Sequence, residues 1–91
     1  MNCKEEDNFN KYFKMEIEDK KSIILDMFNG YKELSKGNTK QSLEMIEEVS
    51  FKWGITKEEP LFSITKHISD GNLGRAKNKL EIITSILIKN V

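Results

Sequence analysis

A chain of 91 residues has room for one domain, and 37% hydrophobic residues supply one modest core. Lys plus Arg and Asp plus Glu number 15 each, so the net charge is zero; phosphate affinity needs a cationic excess, and no nucleic-acid partner is expected. No apolar run approaches the ~20 residues that span a bilayer, no charged-then-apolar leader opens the chain, and one cysteine cannot make an intramolecular disulfide, which points to the reducing cytoplasm.

Phe9, Tyr12, Phe13 and Ile17 recur at helical spacing behind a candidate Asp7 cap. The stripe lapses over Glu18, Asp19, Lys20 and Lys21, then resumes with Ile23, Ile24, Met27, Phe28, Tyr31 and Leu34. This predicts a short helix over about 8–17 and a longer one over about 20–35. Nothing in Glu16–Lys21 forbids a single continuous helix instead.

Gly37 suits the left-handed position that ends a helix, and Asn38 with Gln41 reads as a capping box for the next. That helix runs to about Trp53 on a face of Ser42, Leu43, Met45, Ile46, Val49, Ser50 and Trp53. Gly54 stops it, and Ile55 supplies the apolar contact that follows such a stop. Thr56 with Glu59 is a second capping box, and Pro60 then falls in a first turn, where its missing N–H costs little. A helix over about 57–69 is expected from Leu61, Ile64 and Ile68, with Phe62 on its flank. Gly71 and Asn72 repeat the stop and start. The last helix carries Leu73, Ala76, Leu80, Ile83, Leu87 and Val91 on one line, although the β-branched run 82–88 leaves a strand as a minor alternative. The fold expected is all-α: four or five short antiparallel helices, as a bundle or as stacked hairpins.

Two segments align at an offset of 34 residues. Leu34-Ser35-Lys36-Gly37-Asn38 matches Ile68-Ser69-Asp70-Gly71-Asn72, and Ser42, Ile46 and Val49 match Ala76, Leu80 and Ile83. With Gly30 seven residues before Gly37, this pattern over roughly 20–91 resembles the tetratricopeptide repeat, a helical hairpin unit. The resemblance implies a protein-binding helical surface. Ile64 stands where the earlier glycine would recur, and Gly54 and Ile88 where the closing proline would. The size, the four-helix reading and the start Pro60-Leu61-x-x-Ile64 also resemble small helical bacteriocin immunity proteins. That likeness implies a protein that shields a producing cell by binding a partner.

Catalysis needs a nucleophile and a base within reach. The chain has one His, His67, and one Cys, Cys3, with no motif joining them. Gly71-Asn72-Leu73-Gly74 opens a helix without the Lys-Ser or Lys-Thr of a phosphate loop, so capping explains it better. Zinc would need four Cys or His ligands. Glu44, Glu47 and Glu48 lack the Glu-x-x-His partners of a di-iron site and read as a solvated face. Trp53-Gly54-Ile55-Thr56 resembles a helix-turn-helix turn, but Lys57-Glu58-Glu59-Pro60 would set carboxylates against phosphates. No enzyme activity, cofactor or metal is expected.

Charge is uneven: residues 1–59 hold 10 basic and 13 acidic groups, residues 60–91 hold 5 and 2. This asymmetry suits alignment of two halves of one bundle. Three apolar residues stand off their stripes. Phe51 falls among Lys40, Glu44, Glu47 and Glu48, and Ile82 and Ile86 lie off the line of the last helix. They are either buried against second neighbours, with Phe9, Tyr12 and Phe13 as cover, or form a surface for another protein or a second copy. Two-sided burial is the preferred expectation. Phe51, Ile82 and Ile86 are the candidate partner-binding residues of a small non-enzymatic interaction module.

Overall fold

A computed structural model describes the backbone of residues 3–91 and the side chains of residues 7–91. The described residues form five α-helices: α1 (Cys3–Phe13), α2 (Ile17–Ser35), α3 (Thr39–Trp53), α4 (Phe62–Ser69) and α5 (Leu73–Lys89). No strand is present among the described residues, and the β-branched run of α5 is helical. The chain is therefore all-α. α2 packs on α3 and on α5, α4 packs on α5, and α3 meets α4 lightly. These four close a ring, so of the two expected arrangements the observed one is a bundle.

The glycine stops form as expected. Gly37, Gly54 and Gly71 have φ of 83°, 82° and 82°, a region open to glycine because it lacks a Cβ. Each is followed by the paired backbone bonds of a Schellman turn: Asn38 N–H to Glu33 O, Ile55 N–H to Ser50 O, and Asn72 N–H to His67 O span 2.8–3.0 Å. The caps expected after them differ. Neither Asn38 nor Asn72 caps its helix with its side chain; Asn38 Nδ2 donates instead to Glu33 Oε2 at 2.8 Å.

Two boundaries also depart from expectation. α1 spans Cys3–Phe13, with Asp7 inside it rather than capping it, and the chain breaks before α2 begins at Ile17. One continuous helix is thereby excluded. α4 begins at Phe62, not near 57. The Thr56–Glu59 box gives way because the Glu59 carboxylate accepts from Ser63 Oγ at 3.2 Å, ahead of it in the chain. Lys57 sits at φ 61°, and the Glu59–Pro60 bond is cis. Residues 54–61 thus form an irregular loop whose Ile55, Pro60 and Leu61 are buried.

Close approach fixes α2 on α3. A Cβ at Gly30 would lie 3.1 Å from Ile46 Cδ1, and Ser42 Oγ donates to Gly30 O at 2.8 Å. Lys52 Nζ bridges to Asp26 Oδ2 at 2.6 Å and Ser22 Oγ at 2.8 Å on the surface, a pair worth up to about 1 kcal/mol. α1 lies over the end where α3 and α5 finish. Trp53 Nε1 donates to Asn8 O at 2.7 Å, Asn8 Nδ2 donates to Glu59 O, and Tyr12 Oη donates to Leu87 O at 2.9 Å. The aromatics expected to cover Phe51, Ile82 and Ile86 do something else. Phe9 and Tyr12 pack on Trp53 at 5.7 and 5.5 Å between ring centroids.

The 34-residue offset holds in burial. Ser42, Ile46, Val49, Ser50 and Trp53 on α3 are buried, as are Ala76, Leu80, Ile83, Thr84 and Leu87 on α5. Ser50 Oγ and Thr84 Oγ1 each donate to the carbonyl four residues back, Ile46 and Leu80. The hairpins α2–α3 and α4–α5 therefore bury matching positions.

A candidate interaction cleft between α3 and α4

Because α3 and α4 touch lightly, an open cleft of about 760 Å³ lies between them. Leu43, Glu47 and Phe51 stand on the α3 wall, Phe62 and Lys66 on the α4 wall, and Lys57 projects from the loop. Phe51 is 77% exposed and Phe62 44% exposed. Two-sided burial of Phe51 is thus overturned: among the described residues, no element covers its face of α3.

A second, smaller groove of about 200 Å³ runs between α2 and α5. Its lining repeats that of the cleft at the same offset. Glu47, Ser50 and Phe51 correspond to Glu81, Thr84 and Ser85; Phe62 and Thr65 correspond to Phe28 and Tyr31. The two are equivalent interfaces of a pseudo-symmetric ring, one narrow and one wide. The difference is helix length. α2 has 19 residues and α4 has 8. The stretch equivalent to the first half of α2 is occupied by the end of α3 and the 54–61 loop, so α3 has no full-length neighbour there.

Two of the hydroxyls lining the cleft are engaged by their own helices. Ser50 Oγ donates to Ile46 O at 3.0 Å and Thr65 Oγ1 to Phe62 O at 2.8 Å. The rest of the lining is mainly apolar surface, with one carboxylate, two ammonium groups and the Thr56 and Ser69 side chains around it. Among the described residues lining it there is no histidine or cysteine. The cleft offers contact area rather than a nucleophile held by a base.

The other sequence candidates lie elsewhere. Ile82 is 50% exposed and Ile86 half-buried, one turn apart on α5. Two-sided burial therefore fails for Ile82 as well, and neither residue lines the cleft or the groove. His67 is half-buried on α4 and lines neither space. The side chain of Cys3 falls outside those described. No group of three His, Cys, Asp or Glu able to hold a metal occurs among the described residues. Sequence reasoning placed Leu43 on the core face and Phe62 on a flank; both are cleft residues.

Electrostatic perturbation appears away from the cleft. Burial pushes the Tyr12 phenol from its ordinary 10 up to about 12. Between these values the unfolded chain loses this proton and the folded chain keeps it. Tyr12 therefore makes stability fall as pH rises from 10 toward about 12, and adds no pH dependence below that window. Denaturant midpoints across this range should drop more steeply for the wild type than for Tyr12→Phe. The variant should itself lose about 1 kcal/mol at neutral pH with the bond to Leu87 O. Parallel alkaline profiles for the two would contradict the assignment.

No protein-family model, curated protein or solved structure matches the chain.

Proposed function

We propose that the chain is a non-enzymatic protein–protein interaction module that works through the α3–α4 cleft. The observation that carries this is Phe51: it is the most exposed of the large hydrophobic residues and stands on the wall of an apolar recess. An aromatic beside a pocket, rimmed by charge, is the arrangement in which binding energy concentrates. Leu43 and Phe62 extend the apolar surface, while Glu47, Lys57 and Lys66 set orientation at its rim. Of the three residues singled out in sequence, Phe51 belongs to this surface; Ile82 and Ile86 form a separate strip on α5. No described helix is long and apolar enough to cross a membrane. The lone cysteine favours a cytoplasmic setting, and the balanced charge disfavours nucleic acid.

The test is photo-crosslinking in the native host cell. Benzoylphenylalanine at position 51 should give a discrete covalent adduct. The same group at Lys36, an exposed residue just past the C-terminal end of α2 and away from the cleft lining, should give none. Equal, diffuse labelling from both positions would contradict an interaction at the cleft.

A further inference from the structure

We propose that the occupant of the α3–α4 cleft is a second copy of this chain, which pairs with the first about a two-fold axis running along the cleft. This rests on the interaction role of the cleft proposed above and names its partner.

The face is complementary to itself. Its α3 wall carries Glu47, and its other wall carries Lys57 and Lys66, all exposed. A two-fold axis along the cleft lays α3 of each copy over α4 of the other. Glu47 then meets the ammonium groups of the second copy, and the same contact forms again on the opposite side. The apolar parts follow the same rule. Phe51 projects from one wall, and the recess beside it has room for an inserted aromatic ring. Under the two-fold operation each Phe51 enters the other copy's cleft above Phe62. An isologous interface requires one patch to hold both halves of every contact. Here the acid and the bases, the projection and the recess, occupy one patch. The net charge of zero imposes no long-range repulsion between copies.

The internal pseudo-symmetry points the same way. In the equivalent α2–α5 groove the position of Phe51 is held by Ser85, and the longer neighbouring helix leaves a narrower space. At this pair of positions the wide interface carries the aromatic and the narrow one the small residue, while Tyr31 in the groove stands where the cleft has Thr65. Closure of the α3 face by a second copy covers what α4 is too short to cover.

Sedimentation equilibrium of the purified 91-residue chain tests this, from about 10 μM to about 1 mM. The mass should rise from 10.6 kDa toward twice that value. Phe51→Glu should raise the dissociation constant at least ~10-fold. Its exposure should leave folding intact, which circular dichroism checks. If it does not fold, Phe51→Ser replaces it, serine being the residue at the equivalent position 85. Glu47→Lys and Lys66→Glu should each weaken pairing, and the two together should restore it, because the reversed charges meet again across the axis. Pairing that is indifferent to Phe51, or a double reversal no stronger than the singles, would overturn the proposal. A constant 10.6 kDa mass up to the highest concentration would also overturn it. In that last case, a position-51 adduct with a different protein keeps the cleft as an interaction surface and removes only the second copy. No adduct at all removes both.

Discussion

Trp53→Ala should lower the unfolding free energy by about 3–5 kcal/mol, the range for truncating a buried tryptophan. Trp53 is 3% exposed and is the last residue of α3. Its ring holds Phe9 and Tyr12, and its Nε1 holds the carbonyl of Asn8. Truncation leaves a cavity where α1 meets the bundle and removes the donor from a buried carbonyl, and the two costs add. A domain of this size has only about 5–15 kcal/mol in total. The melting temperature should therefore fall by more than ~10 °C. Trp53 is the sole tryptophan, so far-UV circular dichroism is the suitable readout for wild type and variant alike. A loss under about 1 kcal/mol would mean that α1 does not depend on this joint.

The second large effect is expected at Leu80. This side chain is fully buried at the middle of α5, the helix that packs on both α2 and α4. Leu80→Ala should cost about 2–5 kcal/mol in denaturant unfolding, with an unchanged m-value. It stands at the position equivalent to Ile46, which is also fully buried and seats against Gly30. At Ile46 the neighbouring helix is brought near by a glycine; at Leu80 the corresponding residue is Ile64, a full side chain. A midpoint shift worth less than 1 kcal/mol would show that α5 does not occupy the centre of the ring.

Most of the fold was legible because the signals that set it are local. Gly37, Gly54 and Gly71 end helices by their own backbone freedom, and the stripes of α3 and α5 give the buried faces directly. Boundaries failed where two local signals competed. Thr56, Glu59 and Pro60 read as a helix start, yet the observed loop turns Lys57 to positive φ, sends the Glu59 carboxylate to Ser63 and uses the Glu59 carbonyl to hold Asn8. The last of these contacts joins residues 51 positions apart, and no window of sequence contains it. Stripe membership also overstated burial: Phe28 is 53% exposed and Val91 49% exposed. A period of 3.6 marks a face, whereas burial depends on whether a neighbour is long enough to cover it.

The candidate site was half legible. Phe51 stands out in sequence because it breaks the pattern of its helix, but whether it was covered depended on the length of α4. The 34-residue alignment contained more than its glycines and core positions. Extended to the flanking faces, it pairs Phe51 with Ser85 and Phe62 with Phe28. It thereby shows an aromatic at position 51 of the cleft where the groove has serine, and one at position 31 of the groove where the cleft has Thr65. Ile82 and Ile86 break pattern in the same way but line neither the cleft nor the groove, so an irregular wheel position alone does not place a residue in either.

The most direct test of whether Phe51 serves contact rather than the core is the unfolding free energy of Phe51→Ala, measured at low micromolar concentration. An exposed side chain whose structural equivalent is Ser85 should be dispensable to the fold, and the variant should lie within about 0.5 kcal/mol of wild type. A loss of about 2 kcal/mol or more would place Phe51 in the core and leave the cleft without its anchor.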